Sequence, residues 1–437
     1  MKKNIQPRFP RLLAHLLFAL GAIPFALGNA QASGTEPPSQ RRQEIRLPDN
    51  EKPSTEKQEF VRNEMVKTFN EVQTLLTNKQ YPEAQEKIKI LNAFDKKTNY
   101  EQFQINRLVA IVASATNNID ELATVFDAMI KSGYLSKAEV LRFTEGAAGS
   151  YFNEKRYDKA KEWTKRYLAL DADNAQMQNL LARIFYLQDD FPGTITEVNR
   201  QIQADDAANR APSYDKLHLL ISSYLKMKDM VGYVSVLERM VTHYPKKEFW
   251  ADLIYRLPNK PGFSDRLRID YYRLLLATDT LEEGPQYAEF ADLALLAGLP
   301  TEAKKVVDAG YAANMLGTGK DAAKHKILRD KVNKQAADDL KSLDAGEASA
   351  KAAKNGIGLV NTGYNFVING QIERGIALME QGIARGGLKS VDEAKLHLGM
   401  AYLQGGNRAK ATEIFKSLQG TDGAVDIGRY WLLVRKE

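Results

Sequence analysis

Histidine, cysteine, serine and paired carboxylates carry most protein chemistry, and in this chain their spacing is poor for it. His218, His243, His325 and His397 stand apart, and none has a second histidine four residues on, so no two-histidine zinc helix forms. His397 lies beside Leu398 within a helical pattern and reads as a packing or surface residue. Cysteine is absent, which removes disulfides, thiolate catalysis and cysteine-ligated zinc. No serine stands in a G-x-S-x-G elbow. Asp189-Asp190 and Glu282-Glu283 fall at turns, where acids favour helix starts and water. Gly356-Ile-Gly358 with Gly363 echoes a nucleotide loop, but no apolar strand precedes it. The expectation is therefore a non-enzymatic protein with no catalytic residue, cofactor or metal.

The elements are more informative. Leu398 to Phe415 reads LGMAYLQGGNRAKATEIF. Gly399 and Ala411 leave room for two antiparallel helices to approach, while Tyr402 and Phe415 fill the gap beside them. Gly363, Gly370, Gly375 and Met379 recur as Gly399, Gly406, Ala411 and Phe415, each shifted by 36 residues. Ala148, Tyr151 and Tyr157 recur as Ala182, Phe185 and Phe191 at a shift of 34, the length of a tetratricopeptide repeat (TPR). The expected fold is all-α: a TPR-like α-solenoid, a right-handed superhelix of helix-turn-helix hairpins. One hairpin cannot bury both its faces, so a stack is needed, and a stack is an interaction scaffold.

Residues 1–32 carry Lys2, Lys3, Arg8 and Arg11, an apolar run from Leu12 to Leu27, and Ala30-Gln31-Ala32. That is the plan of a secretory signal, with cleavage expected after Ala32 and the periplasm as destination; an uncleaved anchor is the alternative. The formal net charge of +6 drops to near +2 without those four bases. Charge thus gives no reason to invoke nucleic acid. No later run approaches the ~18 apolar residues that span a bilayer, so no stable membrane insertion is expected after cleavage. Residues 33–57, rich in Pro, Ser and charge, read as a disordered linker. Then follow an N-terminal TPR-like array at 58–312, an Ala- and Lys-rich helical joint at 313–354, and C-terminal repeats with a capping helix at 355–437.

The surface left for a partner is the inner face formed by first-helix positions that packing does not use. Registering each repeat on its aromatic residue places Phe152, Asn179, Arg183, Tyr186, His218, Ser222, Lys226, Tyr364, Val367 and Gln404 on or near it. This mixture of aromatic, amide and basic groups suits an extended peptide; the alternative for each residue is contact with the next repeat. Lys and Asn pairs that would grip a C-terminal acid are not evident.

Three stretches carry a narrower resemblance: Tyr244 to Trp250 (YPKKEFW), Asp292 to Ala303 (DLALLAGLPTEA) and Gly386 to Gly399 (GGLKSVDEAKLHLG). Together they resemble exported TPR proteins encoded beside TonB, ExbB and ExbD systems. The resemblance implies a periplasmic accessory to energised uptake across the outer membrane, commonly of iron complexes, with a TonB-type protein as partner. A cell-envelope assembly or export adaptor, and an enzyme or soluble ligand receptor in which the array only frames a pocket, remain alternatives.

Overall fold

The computed structural model describes residues 60–435. The expected signal at 1–32 and linker at 33–57 lie outside the described residues. Those described form twenty α-helices and no strand, an all-α fold of TPR-like hairpins. The chain divides into two compact units, with the boundary between Gln203 and Ala204.

The first unit holds α1 (Asn63–Thr77), α2 (Tyr81–Asn92), α3 (Asn99–Ala115), α4 (Ile119–Ser132), α5 (Lys137–Asn153), α6 (Tyr157–Leu170) and α7 (Ala175–Leu187), with α8 (Phe191–Ala207) running across the boundary. Consecutive hairpins stack, α2 on α3, α4 on α5 and α6 on α7. The 34-residue period is literal: α6 starts at Tyr157 and α8 at Phe191. The small residues Ala148, Ala160 and Ala182 are buried where helices approach, and Phe126, Tyr151 and Trp163 fill the spaces between.

One turn joins every tight hairpin in both units. Lys79, Asn117, Lys155, Asp189, Lys228, Gly298, Gly370 and Gly406 each stand two positions before a second helix, with φ between +55° and +88°. The next N–H then donates to a carbonyl five residues back, as Gln80 does to Leu75 (2.8 Å) and Asn407 to Tyr402 (2.9 Å). This closure satisfies carbonyls that the end of the first helix would leave orphaned.

Arg62 anchors the entry to the first unit. Its side chain forks onto Glu101 (Nε 2.9 Å, Nη2 2.7 Å), and its backbone N–H donates to the same carboxylate at 3.0 Å. Glu101 is buried and also closes the capping box of α3 with Thr98. The Arg62 hydrogen bonds outweigh burial and hold the Glu101 carboxyl down at about 2, against an ordinary 4.5. A depressed carboxylate contributes stability above its unfolded value and loses it as pH falls through the folded one. The first unit should therefore weaken by on the order of 2 kcal/mol between about pH 5 and pH 2, allowing for the partly exposed Arg62. Melting curves of the wild type and Glu101→Gln check this: the variant starts less stable and loses less on acidification.

The second unit contains α9 (Tyr214–Met227), α10 (Met230–His243), α11 (Lys247–Tyr255), α12 (Arg268–Ala277), α13 (Gly284–Leu296), α14 (Pro300–Ala312), α15 (Ala322–Ala352), α16 (Ile357–Ile368), α17 (Ile372–Arg385), α18 (Val391–Gln404), α19 (Arg408–Lys416) and α20 (Ala424–Leu433). It does not remain an open stack. In α12, Ile269, Asp270, Tyr272, Arg273, Leu274 and Leu275 are all buried, the pattern of a helix enclosed on every side. The last helix, α20, packs on α18 and α19 and also on α10 and α12. Lys260 pairs with Asp426, the Ser264 N–H donates to the Asp422 carbonyl (2.9 Å), and Arg429 bridges Glu238 and Asp426, each at 3.0 Å. Residues far apart in sequence thus close the second unit on itself.

The 313–354 stretch lies inside this unit. Within it α15 is one 31-residue helix with a buried stripe, Val332, Ala336, Leu343, Glu347 and Ala350. Arg374 ties the stripe to α17 through Glu347 and Asp344. Next to it α16 and α17 approach unusually closely. Gly363 faces Gly375, and Gly356 faces Gly382, so that a Cβ at Gly363 would stand 2.7 Å from the Gly375 carbonyl.

Candidate functional site

The expected partner-binding residues separate into distinct groups. In the first unit Asn179, Arg183 and Tyr186 recur at helical spacing along one face of α7, Asn179 exposed and the other two half-buried. Phe152 is half-buried with its ring 5.8 Å from Tyr157, and Tyr186 meets Phe191 in the same way at 5.6 Å, one repeat later. These rings fasten their own hairpins, which leaves only part of each facing outward.

In the second unit His218, Ser222 and Lys226 line one face of α9. His218 is exposed and stacks on Tyr214 (5.9 Å), whose ring also carries Lys246 Nζ at 5.2 Å. Tyr364 and Val367 depart from expectation. Val367 is fully buried against Gly375 of α17, and Tyr364 is buried beneath the Arg273 guanidinium, 4.9 Å above its ring. On the face of α16 that would be open in a simple stack, the Arg273 side chain of α12 lies over Tyr364. Gln404 stays exposed and donates to the Val367 carbonyl at 3.2 Å.

What fills that space is a buried charge network that the sequence reading missed. Arg273 donates to both oxygens of Glu302 (Nε 2.8 Å, Nη2 2.6 Å) and to Asp270 (Nη1 2.7 Å). His397 Nε2 lies 3.0 Å from Asp270 Oδ1 and 3.1 Å from Arg273 Nη1, and its ring stacks on Tyr364 at 4.9 Å. Burial opposes the charge of Asp270, yet His397 and Arg273 hold its carboxyl below the usual range. Burial pushes the Tyr364 phenol well above its ordinary value. The carboxylates and histidine are of types that ligate metals, but their lone pairs already face a guanidinium. The available signal was Asp270 and Arg273 inside the run IDYYRLLLA, charges in a helix with no polar face.

Beside this network is a cavity of about 600 Å³. Leu276, Phe290, Met400, Leu403 and Trp431 form apolar walls, and Arg273, Glu302, Lys305 and Arg408 bring charge to it. Tyr364 and Gln404 also reach this lining, the only two expected residues that do so together.

The tetratricopeptide repeat family profile matches residues 393–421, which are the hairpin of α18 and α19. The chain is similar to yeast Tom70 at 11% identity and a TM-score of 0.22, over 84% of this chain and 95% of that one. It is similar to Naa15/Naa10 bound to HypK-THB at 12% identity and a TM-score of 0.20, over 83% of this chain and 70% of that one. At those scores neither likeness bears on partner or shape. No curated protein matches the sequence. The class that emerges is a TPR-type helical repeat protein, a kind of scaffold that generally binds other proteins rather than catalysing reactions. Among the described residues no helix is long and apolar enough to cross a membrane.

Proposed function

We propose that this chain is a non-enzymatic periplasmic scaffold that binds a segment of an energy-transducing protein of the TonB type, as an accessory to energised uptake across the outer membrane. The signal-like residues 1–32 and the three stretches that resemble exported TPR proteins support the compartment and the partner. The observation that carries the binding reading is the α7 face. Asn179 and Arg183 there have no side-chain hydrogen bond or ion pair among the described residues, and Tyr186 stands at helical spacing from them. An arginine and a tyrosine at helical spacing are the residue types that anchor interfaces. A second exposed feature, Leu225, Met227, Met230 and Val231 at the α9–α10 turn, adds an apolar patch of the sort that marks interaction surfaces.

Pull-down from periplasm with the tagged protein is expected to recover a TonB-type protein. The double variant Arg183→Ala/Tyr186→Ala should recover at least about tenfold less, as hot-spot losses of 2 kcal/mol or more imply. If no such protein co-purifies and deletion leaves uptake of iron complexes unchanged, the reading fails.

A further inference from the structure

We propose that the cavity beside Arg273 is a binding site for a small amphiphilic carboxylate, an apolar chain with one anionic head of the fatty-acid type. Its volume of about 600 Å³ lies within the range of sites that enclose small molecules. The walls are aliphatic and aromatic, so the body of the ligand is apolar. The head follows from the charges. Of four ionised side chains in the lining, three are cations, and the one acid, Glu302, already has both oxygens bound by Arg273.

Lys305 and Arg408 have no carboxylate partner among the described residues. Lys305 Nζ donates to the Ile368 carbonyl (2.6 Å), and Arg408 donates to the carbonyls of Leu432 and Val434. Two positive charges therefore border an apolar space with only neutral acceptors. Trp431 contributes its ring to the same wall. A carboxylate supplies the acceptor charge that neither cation has among the described residues. Residues of seven helices, α12, α13, α14, α16, α18, α19 and α20, contribute to the lining, together with Gly406 in the turn before α19. Walls drawn from so many helices give a pocket of small-molecule size. The inference stands whether or not the TonB-type partner is found.

The test titrates dodecanoate, below its micelle concentration, into the full chain labelled with ¹⁵N, and follows the three indole N–H resonances. Trp431→Phe assigns one of them, while Trp163 and Trp250 serve as internal references. A saturable shift of Trp431 alone is expected. Dodecan-1-ol should bind at least about tenfold more weakly, and Lys305→Gln should weaken dodecanoate by a similar factor, the loss typical of a charged hydrogen bond. Lys305 is exposed, so its substitution leaves the fold intact, and an unchanged melting curve verifies that. Absence of a saturable shift, equal binding of the alcohol, or an unaltered affinity in Lys305→Gln overturns the proposal. So does displacement of dodecanoate by a tighter-binding peptide with a free leucine carboxylate, which reassigns the cavity to a polypeptide end.

Discussion

Replacing Arg273 with methionine is expected to destabilise the second unit by about 3–5 kcal/mol, the usual result of removing one partner from a buried ion network. Asp270 is wholly buried and Glu302 nearly so; Glu302 depends on the one guanidinium for charge compensation, and Asp270 depends on it together with His397. Without it, each must stay charged in an apolar surround or bind a proton. The loss should be read by hydrogen exchange at the α12 amides, whose protection falls with the free energy of opening. Replacing Asp270, Arg273 and Glu302 together with leucine, methionine and leucine should restore most of the stability, because an apolar core of similar volume matches a buried ion cluster. A cost below about 1 kcal/mol for the single variant, the level of an exposed pair, would show that water reaches the network.

A comparable loss is expected from a single methyl group at Gly363. The Cβ of Gly363→Ala would stand 2.7 Å from both the Gly375 carbonyl and Met379 Cγ. Met379 is flexible, but a backbone carbonyl in a packed helix is not, so α16 and α17 must separate. Overpacking of this kind costs roughly 3 kcal/mol where backbone has to move. Gly346→Ala provides the contrast: it lies in α15 with nothing within 4 Å of the added methyl, and should gain about 0.5–1 kcal/mol from helix propensity. Denaturant midpoints of the two variants should fall on opposite sides of the wild type.

The repeats were legible because their signal is local and chemical. Gly399 with Phe415, or Tyr151 with Tyr157, follows from how two helices joined by a short turn must touch, and the structure places both pairs in hairpins. The turn itself was only partly legible, since Gly370 and Gly406 announce a left-handed residue whereas Lys79, Lys155 and Lys228 do not. The stretch at 313–354 looked like a joint because large apolar residues are few. Two of its buried positions are alanines, Ala336 and Ala350, which no count of bulky residues detects. Tyr364 and Val367 were assigned to an open face by registering one repeat on another, a step that assumes nothing else occupies the concave side. Instead Arg273 of α12 reaches over Tyr364, held there by contacts between residues more than a hundred positions apart. No local pattern encodes such a meeting.

The closing of the second unit by α20 also sets an order of events during synthesis. Hairpins of the first unit need only their immediate neighbours, so each can settle as it emerges. The second unit waits longer. Lys260 has no Asp426, and the Arg273 cluster no His397, until almost the whole polypeptide has been made. For that interval α12 exposes apolar sides, and a ribosome stalled a few residues short of α20 would hold a chain whose first half is native and whose second half is sticky.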